Sequence, residues 1–235
     1  MVCPQIISLD FSDFDTSEIT SMKSMFFRCK KLKEIKGINK FIINKVTDMS
    51  SMFSNCEELE YLDLSNFDTS NVTSIDGMFN RCYKLKEIKG LNKFITDKVD
   101  KMDAMFQMCK ELENLDLSNF NTSNVITMEG MFNECYKIKE IKGINKFITD
   151  KVTNMRVMFQ ACTNLEYLDL SNFNTSNVTD FSWMFNQCNE LKYLNLLNFT
   201  LNKCKTENMF VFKQKSNCEF ITNNKDLLKL YNSSK

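Results

Sequence analysis

Apolar residues change their spacing within each stretch of about 26 residues, and the change is repeated down the chain. In LEYLDLSNF, from Leu59, the residues Leu62 and Leu64 alternate with Tyr61, Asp63 and Ser65. This is the period-two pattern of a short strand with one buried side. A few residues later, in TSNVTSIDGMFNRCYKL from Thr69, the residues Val72, Ile75, Phe79, Cys82 and Leu85 recur every three or four positions. That is the spacing of one buried helical stripe. The pattern predicts a strand followed by a short helix, partly 3₁₀ in character, with Thr69, Ser70 or Asn71 capping its first turn.

The unit recurs with little drift. The methionine of each Met-Phe pair lies at positions 25, 52, 78, 105, 131, 158 and 184, spaced 27, 26, 27, 26, 27 and 26. Two forms alternate, so the full period is 53 residues. The longer form carries its extra residue beside Gly37, Gly90 and Gly143, where the LDL of the shorter form becomes IKG. A glycine there predicts a one-residue bulge or turn. A strand and a helix at a period inside the 20–29 range of leucine-rich repeats predict an α/β solenoid. The expected stack holds about eight turns of 26 or 27 residues, each a short parallel strand plus a short helix.

The motif Met-Phe-x-x-Cys-x-x-Leu-x-x-Leu-x-Leu-x-x-Phe-x-Thr-Ser-Asn-Val-x-x-Met resembles the BspA-like leucine-rich repeats of bacterial, mycoplasmal and protist surface proteins. The resemblance runs from residue 3 to about residue 200, and the Met-Phe-x-x-Cys core recurs seven times. It implies an adhesin or binding module at the cell surface or secreted, whereas the periodicity alone implies a solenoid. Residues 1–203 are expected to form the solenoid, and 204–235 an irregular last turn with a C-terminal cap built on KDLLKLY from Lys225. Cys3, Ile6, Leu9, Phe11 and Phe14 already stand in register, so the first turn is expected to be open.

Composition narrows the partners. Thirty Lys and Arg balance thirty Asp and Glu, so the long-range positive field that draws a protein to nucleic acid is absent. No stretch approaches the roughly 18 apolar residues of a membrane span, and the N-terminus lacks the pattern of a signal peptide. The chain contains no histidine, no phosphate-binding glycine loop and no carboxylate pair outside the repeated pattern. The expectation is a protein that is not an enzyme and uses no cofactor.

Ten cysteines raise the question of thiol chemistry. Cys29, Cys56, Cys82, Cys109, Cys135, Cys162 and Cys188 each follow the marker Met by four residues, on the buried stripe. Cys-x-x-Cys pairs of the zinc type are absent, and no base stands ready to activate a thiol, so neither a metal site nor a nucleophile is expected. Buried free thiols stacked in a column are the expectation, with vertical disulfides as the alternative. Cys204 and Cys218 lie outside the column, and a bond between them stays open.

Binding is expected on the strand face. There Asp10, Lys36, Asp63, Lys89, Asp116, Lys142 and Asp169 alternate in sign until Asn195 breaks the order. Lys33, Glu60, Lys86, Glu113, Lys139, Glu166 and Lys192 alternate likewise. Charges opposed on neighbouring strands hold register, and recognition by the same stripe is the alternative reading. Tyr61, Tyr167 and Tyr193 add aromatic area with a polar tip. The candidate contact residues are Tyr61, Tyr167, Asp169, Trp183, Tyr193, Asn195 and Leu197, most of them in the last two turns, where the repeat is least regular. The alternative for that end is coverage of the cap. A protein partner is expected, with the chain monomeric or, in a second reading, assembling end to end through its first turn.

Overall fold

The computed structural model describes residues 3–213 and 217–234 and is a solenoid of short parallel strands. Nine three-residue strands occur once per turn: β1 Ser8–Asp10, β2 Glu34–Lys36, β3 Tyr61–Asp63, β4 Glu87–Lys89, β5 Asn114–Asp116, β6 Glu140–Lys142, β7 Tyr167–Asp169, β8 Tyr193–Asn195 and β9 Glu219–Ile221. In each strand from β2 to β8 the central Leu or Ile is buried and its neighbours face outward, as alternation requires.

The predicted helix in each turn does not form. The segment after each Val is a run of tight turns whose N–H groups alternate in direction. Met25, Phe27 and Cys29 donate back three residues, to Met22, Ser24 and Phe26. Ser24, Phe26 and Arg28 donate instead to the carbonyls of Ser50, Met52 and Ser54 on the next turn, each at 2.9 Å. An α-helix sends all its N–H groups along its own axis and could not make this second set. The reversal needs left-handed residues four apart, such as Ser24 and Arg28 with φ of 54° and 59°. Single parallel bridges continue the side through all eight turns, from Ser21–Asp48 to Asp180–Lys205. The three- and four-residue spacing thus marks turns that bury the Phe and Cys of each Met-Phe-x-x-Cys core.

The capping threonines also act between turns. Thr122 Oγ1 donates to the Ile148 carbonyl and accepts from the Ile148 N–H, both at 2.8 Å. Thr16, Thr69, Thr96 and Thr175 make the same two bonds to the following turn, and all are buried.

The strand side is interrupted where the turn side is continuous. Strands pair as β1–β2, β3–β4, β5–β6 and β7–β8–β9, and among the described residues no ladder joins β2 to β3, β4 to β5 or β6 to β7. The long-form glycines account for the grouping. Gly90, with φ of 86°, leads into a 3₁₀ turn over Leu91–Lys93, and a Cβ on it would fall 2.6 Å from the Ser65 nitrogen. The long turn therefore seats directly on the short turn before it, and the opening falls on its other side. Gly37 and Gly143 do the same against Ser12 and Ser118.

Core residues stack in columns between the two sides. Phe26, Phe53, Phe79, Phe106, Phe132, Phe159 and Phe185 lie nearly parallel, with centroids 5.4–5.9 Å apart. The seven column cysteines are buried and free. From Cys56 onward each thiol donates to a phenylalanine carbonyl of the preceding turn, as Cys109 does to Phe79 at 3.2 Å. Cys204 and Cys218 are free as well. Beyond β9 the one α-helix among the described residues, α1 (Lys225–Ser233), starts at Asn224, whose side chain accepts from the Asp226 and Leu227 N–H groups. Its Tyr231 stacks on Phe220 at 4.1 Å and meets Phe210 edge-on.

Candidate functional site

Outward side chains of the strands differ in charge from one turn to the next. Within ribbons the opposed charges meet: Lys89 reaches Asp63 at 3.0 Å and Lys142 reaches Asp116 at 2.8 Å. In the second row Lys86 meets Glu60 at 2.7 Å and Lys192 meets Glu166 at 2.6 Å. No ion pair joins Lys36 to Asp63 or Lys89 to Asp116, so the uniform alternation expected from the sequence resolves into pairs inside the β3–β4 and β5–β6 ribbons. The Lys142 ammonium, with Ser118, holds the Asp116 carboxyl down at about 2.

The pattern breaks in the last ribbon. Asp169 stands in register with Asn195, which occupies the position of Lys89 and Lys142. Asp169 accepts the Ser171 N–H at 3.0 Å and has no ion pair, while Asn195 bonds its own strand neighbour Tyr193 and accepts from the Leu197 N–H. Tyr167 and Tyr193, also in register, stack with ring planes 5° apart and centroids 4.5 Å apart. Tyr167 is 46% exposed.

Since Tyr193 covers one face of the Tyr167 ring from the β8 side, the other face looks toward β6. There the gap between β6 and β7 is a cleft of about 240 Å³ lined by Glu140, Lys142, Asn145, Lys146, Tyr167 and Asp169, among others. Burial, the neighbouring Tyr193 and the carboxylates of Asp169 and Glu140 push the Tyr167 hydroxyl above its ordinary range. A wider gap of about 440 Å³ separates β4 from β5, but Asn114 replaces the tyrosine there and Asp116 is already held by Lys142.

The structure brings together Tyr167, Asp169, Tyr193 and Asn195, with Leu197 half-buried just beyond. It sets the other two candidates apart. Tyr61, 46% exposed, lies on β3 opposite Glu87 with no ring beside it. Trp183 is half-buried on the turn side, in a left-handed slot with φ of 64°, its N–H bonded to the Glu207 carbonyl. Sequence reasoning missed Glu140, Lys142 and Lys146 as neighbours of Tyr167, because the cleft arises from the sheet break.

No cluster of metal-ligating side chains is present among the described residues, and no helix there is long and apolar enough to cross a membrane. Burial raises the column thiols, Cys82, Cys135 and Cys188 to about 12, which keeps them protonated. Asp76 and Asp103, on successive turns, are pushed up chiefly by desolvation. Asp103 is tied to the Thr127 hydroxyl and the Glu129 N–H, and Glu129 to Arg156 at 2.9 Å, so these acids serve the stack.

The family model described as "Mycoplasma protein of unknown function, DUF285" matches residues 3–114 and 100–224. The chain belongs to the DUF285 family. The two matched segments of this DUF285 chain contain all nine strands and both sides of the solenoid. No curated protein matches its sequence. Among solved structures, it is similar to a leucine-rich cell surface protein from Faecalibacterium prausnitzii A2-165, at 16% identity and a TM-score of 0.34, over 99% of this chain and 77% of that one. It is also similar to a leucine-rich repeat protein from Bacteroides ovatus ATCC 8483, at 22% identity and a TM-score of 0.38. That match covers 92% of this chain and 63% of the other.

Proposed function

We propose that this DUF285 chain is a non-enzymatic protein-binding module, of the surface or secreted adhesin type, that recognises its partner with the strand face of its last turns. The observation that carries the reading is the parallel Tyr167–Tyr193 pair, with Tyr167 exposed, where the charge order fails at Asn195. A repeated surface offers equivalent sites with no unique register, and this pair supplies the irregularity that a single docking position needs. Tyrosine contributes contact area at low cost in side-chain entropy and is common among residues that dominate binding. The surface location rests on the resemblance of the repeat motif.

The test is a random-peptide display selection against the wild-type chain, repeated with the variant Tyr167→Ala/Tyr193→Ala and with Tyr61→Ala. Selected ligands should lose about 2 kcal/mol or more of affinity to the double variant and little to Tyr61→Ala. If every selected ligand binds the double variant as well as the wild type, the last turns are not the site.

A further inference from the structure

The strand side is broken at three equivalent places, between β2 and β3, β4 and β5, and β6 and β7, and the side chains beside each break can be compared. At the first, Tyr61 stands at the edge of β3, but its carboxylate neighbour Asp63 is neutralised by Lys89 at 3.0 Å. At the second, Asp116 is neutralised by Lys142 at 2.8 Å and Asn114 provides no ring. At the third, the ring is Tyr167 and the lysine is replaced by Asn195, so Asp169 has no ion pair. Glu140, on the opposite wall, has none either among the described residues. Lys142 is paired with Asp116 and is also acted on by Glu140, so the cleft holds two carboxylates without an ion pair, Asp169 and Glu140, lined as well by Lys146.

We propose that the cleft between β6 and β7 takes an arginine side chain from a basic peptide segment of the partner. The inference rests on the binding reading above and adds the chemistry of what is bound. A guanidinium is flat, so it can lie against the open face of Tyr167, and its edge presents paired donors that fit a carboxylate. Asp169 and Glu140 line the cleft with Tyr167, and both carboxylates act on its hydroxyl. A lysine ammonium would satisfy the charge but not the stacking, and a neutral sugar would use the ring but leave both carboxylates uncompensated. The tyrosine stack fixes the ring in place, so little side-chain freedom is lost on binding.

The experiment titrates the full chain with acetyl-Gly-Arg-Gly-amide, the same peptide with citrulline in place of arginine, the lysine peptide and maltoheptaose, following tyrosine ring resonances by NMR. The arginine peptide should shift Tyr167 saturably, and citrulline, which keeps the shape and loses the charge, should bind about tenfold or more weakly. Asn195→Lys restores the ladder and should abolish the response while leaving the urea midpoint at or above that of the wild type. Lys89→Asn should create a second responding site at Tyr61. Equal binding of citrulline and arginine, an undiminished response in Asn195→Lys, or binding of maltoheptaose with the arginine peptide inert would each overturn the proposal. The display selection keeps the two readings apart: tyrosine-dependent ligands without arginine refute the arginine site alone, whereas ligands independent of both tyrosines refute the module reading itself.

Discussion

Replacing Gly90 by alanine should damage the solenoid far more than the same change at Gly77, although both glycines have positive φ. At Gly77, φ is 57°, and the nearest atom to an added Cβ is the Ser51 hydroxyl at 3.4 Å. Ala104 already occupies the equivalent slot in the next turn with φ of 51°, so the structure tolerates alanine there. The cost should be about 1 kcal/mol, the lower end of the left-handed penalty for an L-residue. At Gly90, φ is 86° and the new Cβ would lie 2.6 Å from the Ser65 nitrogen and 2.8 Å from the Leu64 carbonyl carbon. Those are backbone atoms of the two residues that follow β3, so relief requires the ends of β3 and β4 to part. The nearby Leu64 N–H to Lys89 carbonyl bond, at 2.9 Å, would stretch or break. Adding a bond or two at about 1 kcal/mol each to the backbone strain gives about 3 kcal/mol, and a difference of about 2 kcal/mol between the variants. Equilibrium urea unfolding measures it, provided the slope m is the same in both, since a changed slope would mean that the array no longer unfolds as one unit. Equal midpoints for Gly77→Ala and Gly90→Ala would refute the claim that the long turn seats on its predecessor through this glycine.

The remaining expectations follow from the interturn bonds and the thiol column. Thr122→Val, which keeps the shape but deletes both bonds to Ile148, should cost about 1–3 kcal/mol in urea unfolding, and a neutral result would mean the Ile148 amide finds another partner. Asp116 has its folded pKa depressed to about 2 against about 3.9 unfolded, so its contribution is complete above pH 4 and lost as the pH falls through 2. Asp116→Asn should therefore show a shallower loss of stability between pH 4 and 2, and identical acid limbs would contradict the Lys142 pairing. Iodoacetamide should label Cys3, Cys204 and Cys218 first under native conditions and all ten cysteines after denaturation without reductant, read by intact mass. Protected pairs in the denatured chain would demonstrate disulfides. Light scattering should give a constant monomer mass over a concentration series, whereas growth with concentration would favour end-to-end assembly.

The parts of this fold that repeat in the sequence could be read from it. The 53-residue period, the strand at LDL and its equivalents, the buried Phe and Cys columns and the helix at KDLLKLY all follow from spacing and patterning. The turn side was misread because burial at every third or fourth residue is common to an α-helix and to successive tight turns. The discriminating signal was Gly77 and Gly130 in the slot held elsewhere by Ser24, Ala104 and Trp183, which marks a left-handed residue that no helix contains. The threonines misled for a related reason: a hydroxyl that can cap its own turn can equally bond the next one, and only the stacking distance decides. The grouping of strands lay beyond the charge pattern, since Lys36, Asp63 and Lys89 alternate evenly in sequence although the backbone joins only the last two. For the same reason Tyr167 and Tyr193 could be named as neighbours, while Glu140 could not be placed across a cleft from them.

The alternation of continuous and interrupted sides also fixes the increment by which such a gene can grow or shrink. Loss of 53 residues removes one short and one long turn together, and each surviving ribbon keeps the partner it had. Loss of a single turn would set two turns of the same kind side by side. Asp63 would then face Asp116 across a strand pair, or a glycine seat would meet another glycine-bearing turn in place of a serine. Length variation among natural copies of this array should therefore come in even numbers of turns.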